Sequence, residues 1–389
     1  MNAPVTIEAM QRFATVEKAI AALKPVNPVY CLHPEKFRIA ARRFLDGFRG
    51  DALYAVKANP NPRVLDLIYA GGIRHFDTAS LGEIERVRSR FDDAICHFMA
   101  PVRLPGHAKA AFEIYGVTDY VVDCDYELDK LIAETKQPKK LRIFVRLSPQ
   151  FGGAMLELSS KFGATPPDAA RLLNRIVELG AAPCLTFHVG SQCLSPFSYA
   201  QAVELARRTI GLAGVEIAAL DIGGGFPGPD SNNEIPPYHW YFDTIREALT
   251  ILERDDLPVL CEPGRALCAE GLSLITQVVL RKGDRLYIND GIYGSFDELT
   301  MPGFNVDYPV RVFTVDAKNR ALPLPGENKP FRVYGPTCDT LDVLPRPRML
   351  PDGIGPGDYI VFDAMGAYTV AARSDFNGYF PDTWVQIGA

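Results

Sequence analysis

Long apolar runs are missing from this 389-residue chain, and no stretch approaches the uninterrupted length that crosses a bilayer as a helix. An excess of positive charge is missing too. The 41 Lys and Arg residues are outnumbered by 47 Asp and Glu, the net charge is −6, and no basic stripe marks nucleic acid as a partner. The eight cysteines (Cys31, Cys96, Cys124, Cys184, Cys193, Cys261, Cys268 and Cys338) form no CxxC pair and no zinc spacing, which excludes a metal-knuckle or disulfide framework. The opening run "MNAPVTIEAMQRFA" lacks the basic-then-apolar layout of a secretory signal. A reduced, cytoplasmic protein is the expectation. There is no internal repeat and no low-complexity tract.

What remains is an ordinary globular composition, 47% hydrophobic and 23% charged. The length exceeds one ordinary core and calls for two domains, or a barrel with an appendage. Eight short apolar runs follow one another: "DALYAVKA", "IRHFDTAS", "DAICHFMA", "DYVVDC", "LRIFVRLS", "APCLTFHVG", "AALDIGGG" and "LPVLCEP". Amphipathic stretches such as "LGEIERVRSR", "YELDKLIAET", "DAARLLNRIVELG" and "YAQAVELARRTIGLAG" separate several of them. Eightfold strand–helix alternation predicts a parallel (β/α)8 TIM-like barrel over residues 27–261, ahead of a doubly wound open sheet. Beyond residue 262 the strands are broken by Gly, Pro and Asp, as in "LSLITQVVLRKGDRLYINDG", "PVRVFTVD", "FRVYGPTCD" and "GDYIVFDAMGAY". Residues 262–389, joined by 1–26, are expected to form a second, mainly antiparallel β domain, with 318–330 as an exposed loop.

Several polar residues fall where barrel strands end, the rim that carries active sites in this architecture. Lys57, in "YAVKANPNP", follows a strand and precedes a turn. A lysine there ordinarily buries its stem and sends its nitrogen to water; desolvated, it is a Schiff-base nucleophile. "DIGGGFPG" sets three glycines directly after a strand, where bare amides approach an anion, although such a triplet alone is more often a tight turn. Arg265 in "EPGR" and Ser191 in "HVGSQ" add a guanidinium and a hydroxyl suited to phosphate. His188 ends another strand, either packed and hydrogen-bonded or stacked on an aromatic ring. Glu262 is a costly carboxylate to bury without a cationic partner, and a protonated pyridine nitrogen is such a partner. An amine for an aldehyde, an acid for a ring nitrogen and a cup for phosphate together match pyridoxal 5'-phosphate.

Six ordered motifs, "YAVKAN", "HVGSQ", "DIGGGFPG", "EPGR", "GPTCDTLD" and "GAYTVAARSDFNGY", resemble the fold type III pyridoxal-phosphate decarboxylases of basic amino acids over nearly the whole chain, nearest to the ornithine decarboxylase branch. The resemblance implies that Lys57 holds the cofactor's aldehyde, that His188 stacks on its ring and that Glu262 pairs with its nitrogen. It implies Asp77 and Arg146 near the ring face and phenolic side, and Ser191, Gly224, Gly225, Arg265 and Tyr368 at the phosphate. Cys338 and Asp339 are implied to reach into the partner subunit's site of a homodimer. There Cys338 would protonate the substrate carbon after carbon dioxide leaves, and Asp339 would bind the distal amine. The implied reaction is L-ornithine to putrescine.

The chain departs from the pattern at "YGSFDELTMPGFN", where Met301 and Pro302 stand in place of the Tyr-Asp pair usual in ornithine decarboxylases. Asp297, Glu298 and Asp307 are the nearby carboxylates that would substitute. Lysine or another diamino acid is therefore the alternative substrate. A racemase on the same barrel and a non-catalytic regulatory homologue are the rival classes. The first would need a tyrosine base where this chain has "CDTLD", and the second would be expected to lose cofactor contacts that here persist.

Overall fold

The computed structural model describes residues 10–149, 154–156 and 161–388. They divide into two compact units: one of Arg38–Gly228 with Ile235–Leu267, and one of Pro229–Glu234 and Cys268–Ala389 with the described part of Met1–Phe37.

The first unit is a closed parallel barrel of eight strands. These are β1 (Asp51–Ala55), β2 (His75–Thr78), β3 (Ile95–Phe98), β4 (Asp119–Val122), β5 (Arg142–Arg146), β6 (Ala182–Thr186), β7 (Leu220–Asp221) and β8 (Val259–Cys261). Each of the eight apolar runs in the sequence holds one of them. The barrel closes where β8 pairs with β1, Leu260 opposite Asp51 and Cys261 opposite Ala52. A buried cluster of Leu53, Met99, Val121, Phe144, Cys184, Ala219 and Leu260 draws one residue from in or beside nearly every strand, so the interior is a packed core.

Seven helices make the crossovers: α1 (Pro62–Ala70), α2 (Leu81–Arg88), α3 (His107–Tyr115), α4 (Asp125–Thr135), α5 (Pro166–Glu178), α6 (Phe197–Ala213) and α7 (Tyr238–Leu249). Three start on side-chain caps. Asn61 accepts from Arg63 N–H, Ser80 from Glu83 N–H and Thr165 from Asp168 N–H. Toward the N-terminal ends of β2, β4 and β5, Asp119 accepts from His97 Nδ1 at 2.6 Å and Arg142 Nε at 2.8 Å, and His97 Nε2 lies 3.0 Å from His75 Nδ1.

The second unit is built on an eleven-residue strand, Leu272–Lys282, which pairs antiparallel with Val29–Leu32, Arg285–Ile288 and Tyr359–Phe362. Thr383–Ile387 adds a parallel neighbour to Val29–Leu32. Its core gathers Val16, Ile20, Val29, Ile275, Phe313, Val361 and Val385. The stretch expected to be a loop, 318–330, departs from that expectation. Ala321–Pro323 pairs antiparallel with Phe313–Val315, and Asn328 already opens the strand Asn328–Tyr334. Three residues are too few to show a period of two, so only the partner strand defines this one. Among the described residues no helix is long and apolar enough to cross a membrane, and the cysteines are free thiols.

Candidate active site

Lys57 sits in a single 3-10 turn, Val56–Ala58, that ends β1. The turn is fastened by Asn59 N–H donating to Val56 O and by Tyr54 Oη donating to Asn59 O. Asn61 then caps α1, so the "KANPNP" segment is a fixed bracket. Ala55 is in register with Asp77 of β2, and two residues further on the Lys57 Nζ donates to Asp77 Oδ2 at 2.7 Å. The Asp77 side chain is 2% exposed and that of Lys57 43%, so the carboxylate is fixed and the amine faces an opening.

Glu262 follows β8 and is buried. A neighbouring carboxylate is Asp221, the last residue of β7, which is fully buried. Asp221 Oδ1 accepts from Gly223 N–H at 2.9 Å, and Oδ2 accepts from Thr186 Oγ1 at 3.0 Å. Burial, then the Asp221 and Asp77 charges, push the Glu262 pKa well above the usual carboxylate range, with Lys57 opposing. Burial pushes Asp221 up to about 6.

His188 lies two residues past β6. Its Nδ1 accepts from Gly190 N–H at 3.0 Å, which leaves the ring proton on Nε2. Burial, then the positive charges of Arg146 and Lys57, lower its pKa well below the ordinary value, so the ring is flat and uncharged at neutral pH. The glycines beyond β7 are required by close approach. A Cβ on Gly223, whose φ is +67°, would stand 2.1 Å from Phe187 O. One on Gly224 would stand 2.7 Å from Glu262 O and 2.9 Å from His188 Nε2. Arg146 ends β5, with its guanidinium 5.4 Å from the Phe162 ring centroid. Buried Arg265 opens the short helix Arg265–Cys268 just after Glu262. Ser191 starts a short strand paired with Ala154–Leu156.

The barrel rim thus brings together Lys57, Asp77, His188, Gly224 and Glu262, with Arg146, Ser191, Gly225 and Arg265 on the same strand ends. Three contributors were not singled out from sequence. Asp221 is one, although it is the first residue of "DIGGGFPG". Gln192 is the second: its side-chain amide donates to Gly228 O and accepts from Gly228 N–H, tying "HVGSQ" to the glycine turn. Tyr199 is the third, donating its hydroxyl to Gly224 O at 2.9 Å.

Cys338, Asp339 and Tyr368 belong to the second unit. Cys338 is exposed, and its N–H donates to Asn377 Oδ1 at 3.0 Å. Asp339 accepts from Leu341 N–H at 2.9 Å and from the Tyr293 hydroxyl, and these bonds lower its pKa. Tyr368 and Ala364 both hold left-handed φ values of +58°, a conformation that bulky residues adopt only where the surroundings impose it. Gly366 between them is pressed so closely on Cys268 O that a Cβ would stand 1.7 Å away. Of the carboxylates near Met301, Glu298 is buried and accepts from the Tyr308 hydroxyl, and Asp307 is in a buried ion pair with Arg348. Asp297 remains half-buried at the head of the Asp297–Thr300 turn.

A barrel whose rim offers one amine, one protonated buried acid, one neutral imidazole and a glycine turn beside an arginine fits pyridoxal phosphate by the chemistry of its donors. Residues 35–269 match the family model described as pyridoxal-dependent decarboxylase, pyridoxal binding domain. The chain is 34% identical over 341 residues to the lysine/ornithine decarboxylase of Selenomonas ruminantium, covering 85% of this chain and 82% of that one. It is 31% identical over 367 residues to antizyme inhibitor 2 of Xenopus laevis, covering 87% and 76%. The structure of the Vibrio vulnificus lysine/ornithine decarboxylase complexed with putrescine superposes with a TM-score of 0.81 at 30% identity, over 96% of this chain and 99% of that one. The arginine decarboxylase of Paramecium bursaria Chlorella virus gives 0.84 at 26% identity, with the same coverage. The chain belongs to the fold type III pyridoxal-dependent decarboxylases, and pyridoxal phosphate is its cofactor.

Proposed function

We propose that this protein decarboxylates a basic L-amino acid, L-ornithine first and L-lysine second, releasing carbon dioxide and a diamine. Pyridoxal phosphate, when bound, supplies an electron sink for the pair left behind by the departing carboxylate. The chain's own residues do the rest. Lys57 would hold the cofactor through its amine, the anchor for the aldehyde. Asp77 would hold that amine in place through its hydrogen bond. Glu262 would hold a proton for the ring nitrogen and would serve as that nitrogen's anionic partner. His188 supplies a flat neutral surface for stacking, and Arg146 sits toward the phenolic side. Ser191, Gly224, Gly225, Arg265 and Tyr368 bind the phosphate.

Cys338 returns a proton to the substrate α-carbon and Asp339 takes the distal ammonium, both acting from the partner copy of a homodimer. The observation that supports this reading most is the Lys57–Asp77 pair on the same barrel rim as the buried Glu262 acid. With Glu298 and Asp307 buried, the less buried Asp339 is the carboxylate left to select a distal ammonium, with half-buried Asp297 beside Met301 and Pro302 as the second. The distal pocket is accordingly read as tolerant between ornithine and lysine. Product analysis with L-ornithine, L-lysine, L-arginine and meso-diaminopimelate tests this. Putrescine and cadaverine are expected, and turnover of none of the four would refute it.

A further inference from the structure

Asp342 lies three residues beyond Asp339 and has no place in the reading above. Its side chain is buried, and it receives donors from two separate loops. Oδ1 accepts from Ile292 N–H at 3.0 Å, in the loop that carries Tyr293. Oδ2 accepts from Thr337 N–H at 3.0 Å and Thr337 Oγ1 at 2.7 Å, in the loop that carries Cys338 and Asp339. Both loops make room for it with a glycine. A Cβ on Gly291 would stand 2.1 Å from Asp342 Oδ1, and one on Gly335 would stand 2.2 Å from it. Neither glycine has a left-handed φ, so the carboxylate's closeness is what excludes a side chain.

The backbone repeats the closure. Gly335 N–H donates to Asp342 O, and Asp342 N–H donates to Asp339 O. Across the gap thus spanned, Tyr293 donates its hydroxyl to Asp339. The third side is closed by Ser374 N–H donating to Tyr293 O at 2.8 Å, and by Asn377 accepting from Cys338 N–H.

We infer that Asp342 is the positioning residue of the substrate-selecting turn: its one buried carboxylate locks the Tyr293 loop to the Cys338–Asp339 loop, and so fixes the thiol and the carboxylate relative to each other. The inference rests on the roles proposed above for Cys338 and Asp339. A carboxylate suits the task because all its donors are N–H or O–H groups and it needs none in return. An asparagine of the same size would turn an NH2 toward one of those donors.

The test uses the holoprotein and the variants Asp342→Asn, Gly335→Ala and Asp339→Ala. It measures KM and kcat for L-ornithine and L-lysine, the rate of Cys338 alkylation by iodoacetamide, and the borohydride-trapped cofactor on Lys57. Asp342→Asn and Gly335→Ala are expected to raise KM about tenfold or more and to change the alkylation rate at least about threefold, with the Lys57 linkage retained. A residue that only supported folding would lower the melting temperature and leave the KM of the folded fraction unchanged. KM and alkylation rate both within about twofold of the parent in Asp342→Asn would overturn the inference. If Asp339→Ala leaves KM unchanged, the substrate reading fails instead, and the alkylation rate alone decides on Asp342. Should Asp342→Asn not fold, Thr337→Val removes a single bond from the same carboxylate. It is expected to shift both readouts in the same direction, and no shift would overturn the proposal.

Discussion

Replacing Glu262 with glutamine separates the charge of that side chain from its shape. Burial and the neighbouring carboxylates raise the Glu262 pKa, which favours its neutral, protonated form. Glutamine reproduces that neutral, donating state, so Glu262→Gln is expected to cost folding no more than about 1 kcal/mol. The variant loses the ability to give up a proton and become an anion beside the ring nitrogen. Removal of one preorganised electrostatic partner in a water-excluded site costs about 3–4 kcal/mol, which is roughly a 10²- to 10³-fold fall in kcat.

The pH dependence of stability supplies an independent reading. A carboxyl whose folded pKa lies above its unfolded value binds its proton more tightly when folded. Its contribution is therefore neutral at low pH and turns destabilising as pH rises above the unfolded pKa of about 4. With Asp221 pushed up to about 6 and Glu262 also raised, the pair's contribution to the parent's stability should fall as pH rises from about 4 through about 6. The variant should lose less. Urea denaturation across that range and carbon dioxide release at saturating pyridoxal phosphate make the two measurements. A kcat within about threefold of the parent at full cofactor occupancy would refute the role given to Glu262.

Asp119 tests the barrel rather than the site. Burial alone would raise its pKa, but the hydrogen bonds from His97 and Arg142 outweigh burial and hold it well below the usual range. A depressed carboxylate contributes stability that is present above its unfolded pKa, about 3.9, and is lost as pH falls toward the folded value. Asp119→Ala should therefore destabilise the protein by about 3–5 kcal/mol at pH 7 in urea denaturation and flatten the acid limb of the stability profile. An unchanged midpoint would contradict this. The shared site is tested by mixing inactive Lys57→Ala with inactive Cys338→Ala. Random exchange makes half the dimers mixed, each with one intact site, so about a quarter of all sites should recover activity. No recovery after proven subunit exchange would argue for self-contained sites.

The barrel was legible because parallel strands buried on both faces read as apolar runs; "LRIFVRLS" holds β5 and "APCLTFHVG" holds β6. Lys57, His188 and Glu262 were legible as polar residues just past such runs, where a core residue would be apolar. Asp221 was not, since a carboxylate inside a buried strand acquires meaning only through the β7–β8 pairing that brings it to Glu262. The Ala321–Pro323 strand escaped for a related reason: its pairing with Phe313–Val315 is tertiary. Spacing named Asp297, Glu298 and Asp307 alike as substitutes near Met301. Only the structure separates them, through Tyr308 on Glu298 and Arg348 on Asp307. Gly291 and Gly335 carry no mark in the sequence, since each is required by the carboxylate of Asp342 that the fold packs against it.

The claim on which the account depends is that Lys57 is the residue that holds pyridoxal phosphate. Borohydride reduction of the holoprotein, followed by proteolysis and mass spectrometry, tests it directly. The account predicts the reduced cofactor on the peptide containing "YAVKANPNP", on Lys57 alone, with neither adduct nor carbon dioxide release in Lys57→Ala. Reduced cofactor on a different lysine, or turnover surviving in Lys57→Ala, would contradict it.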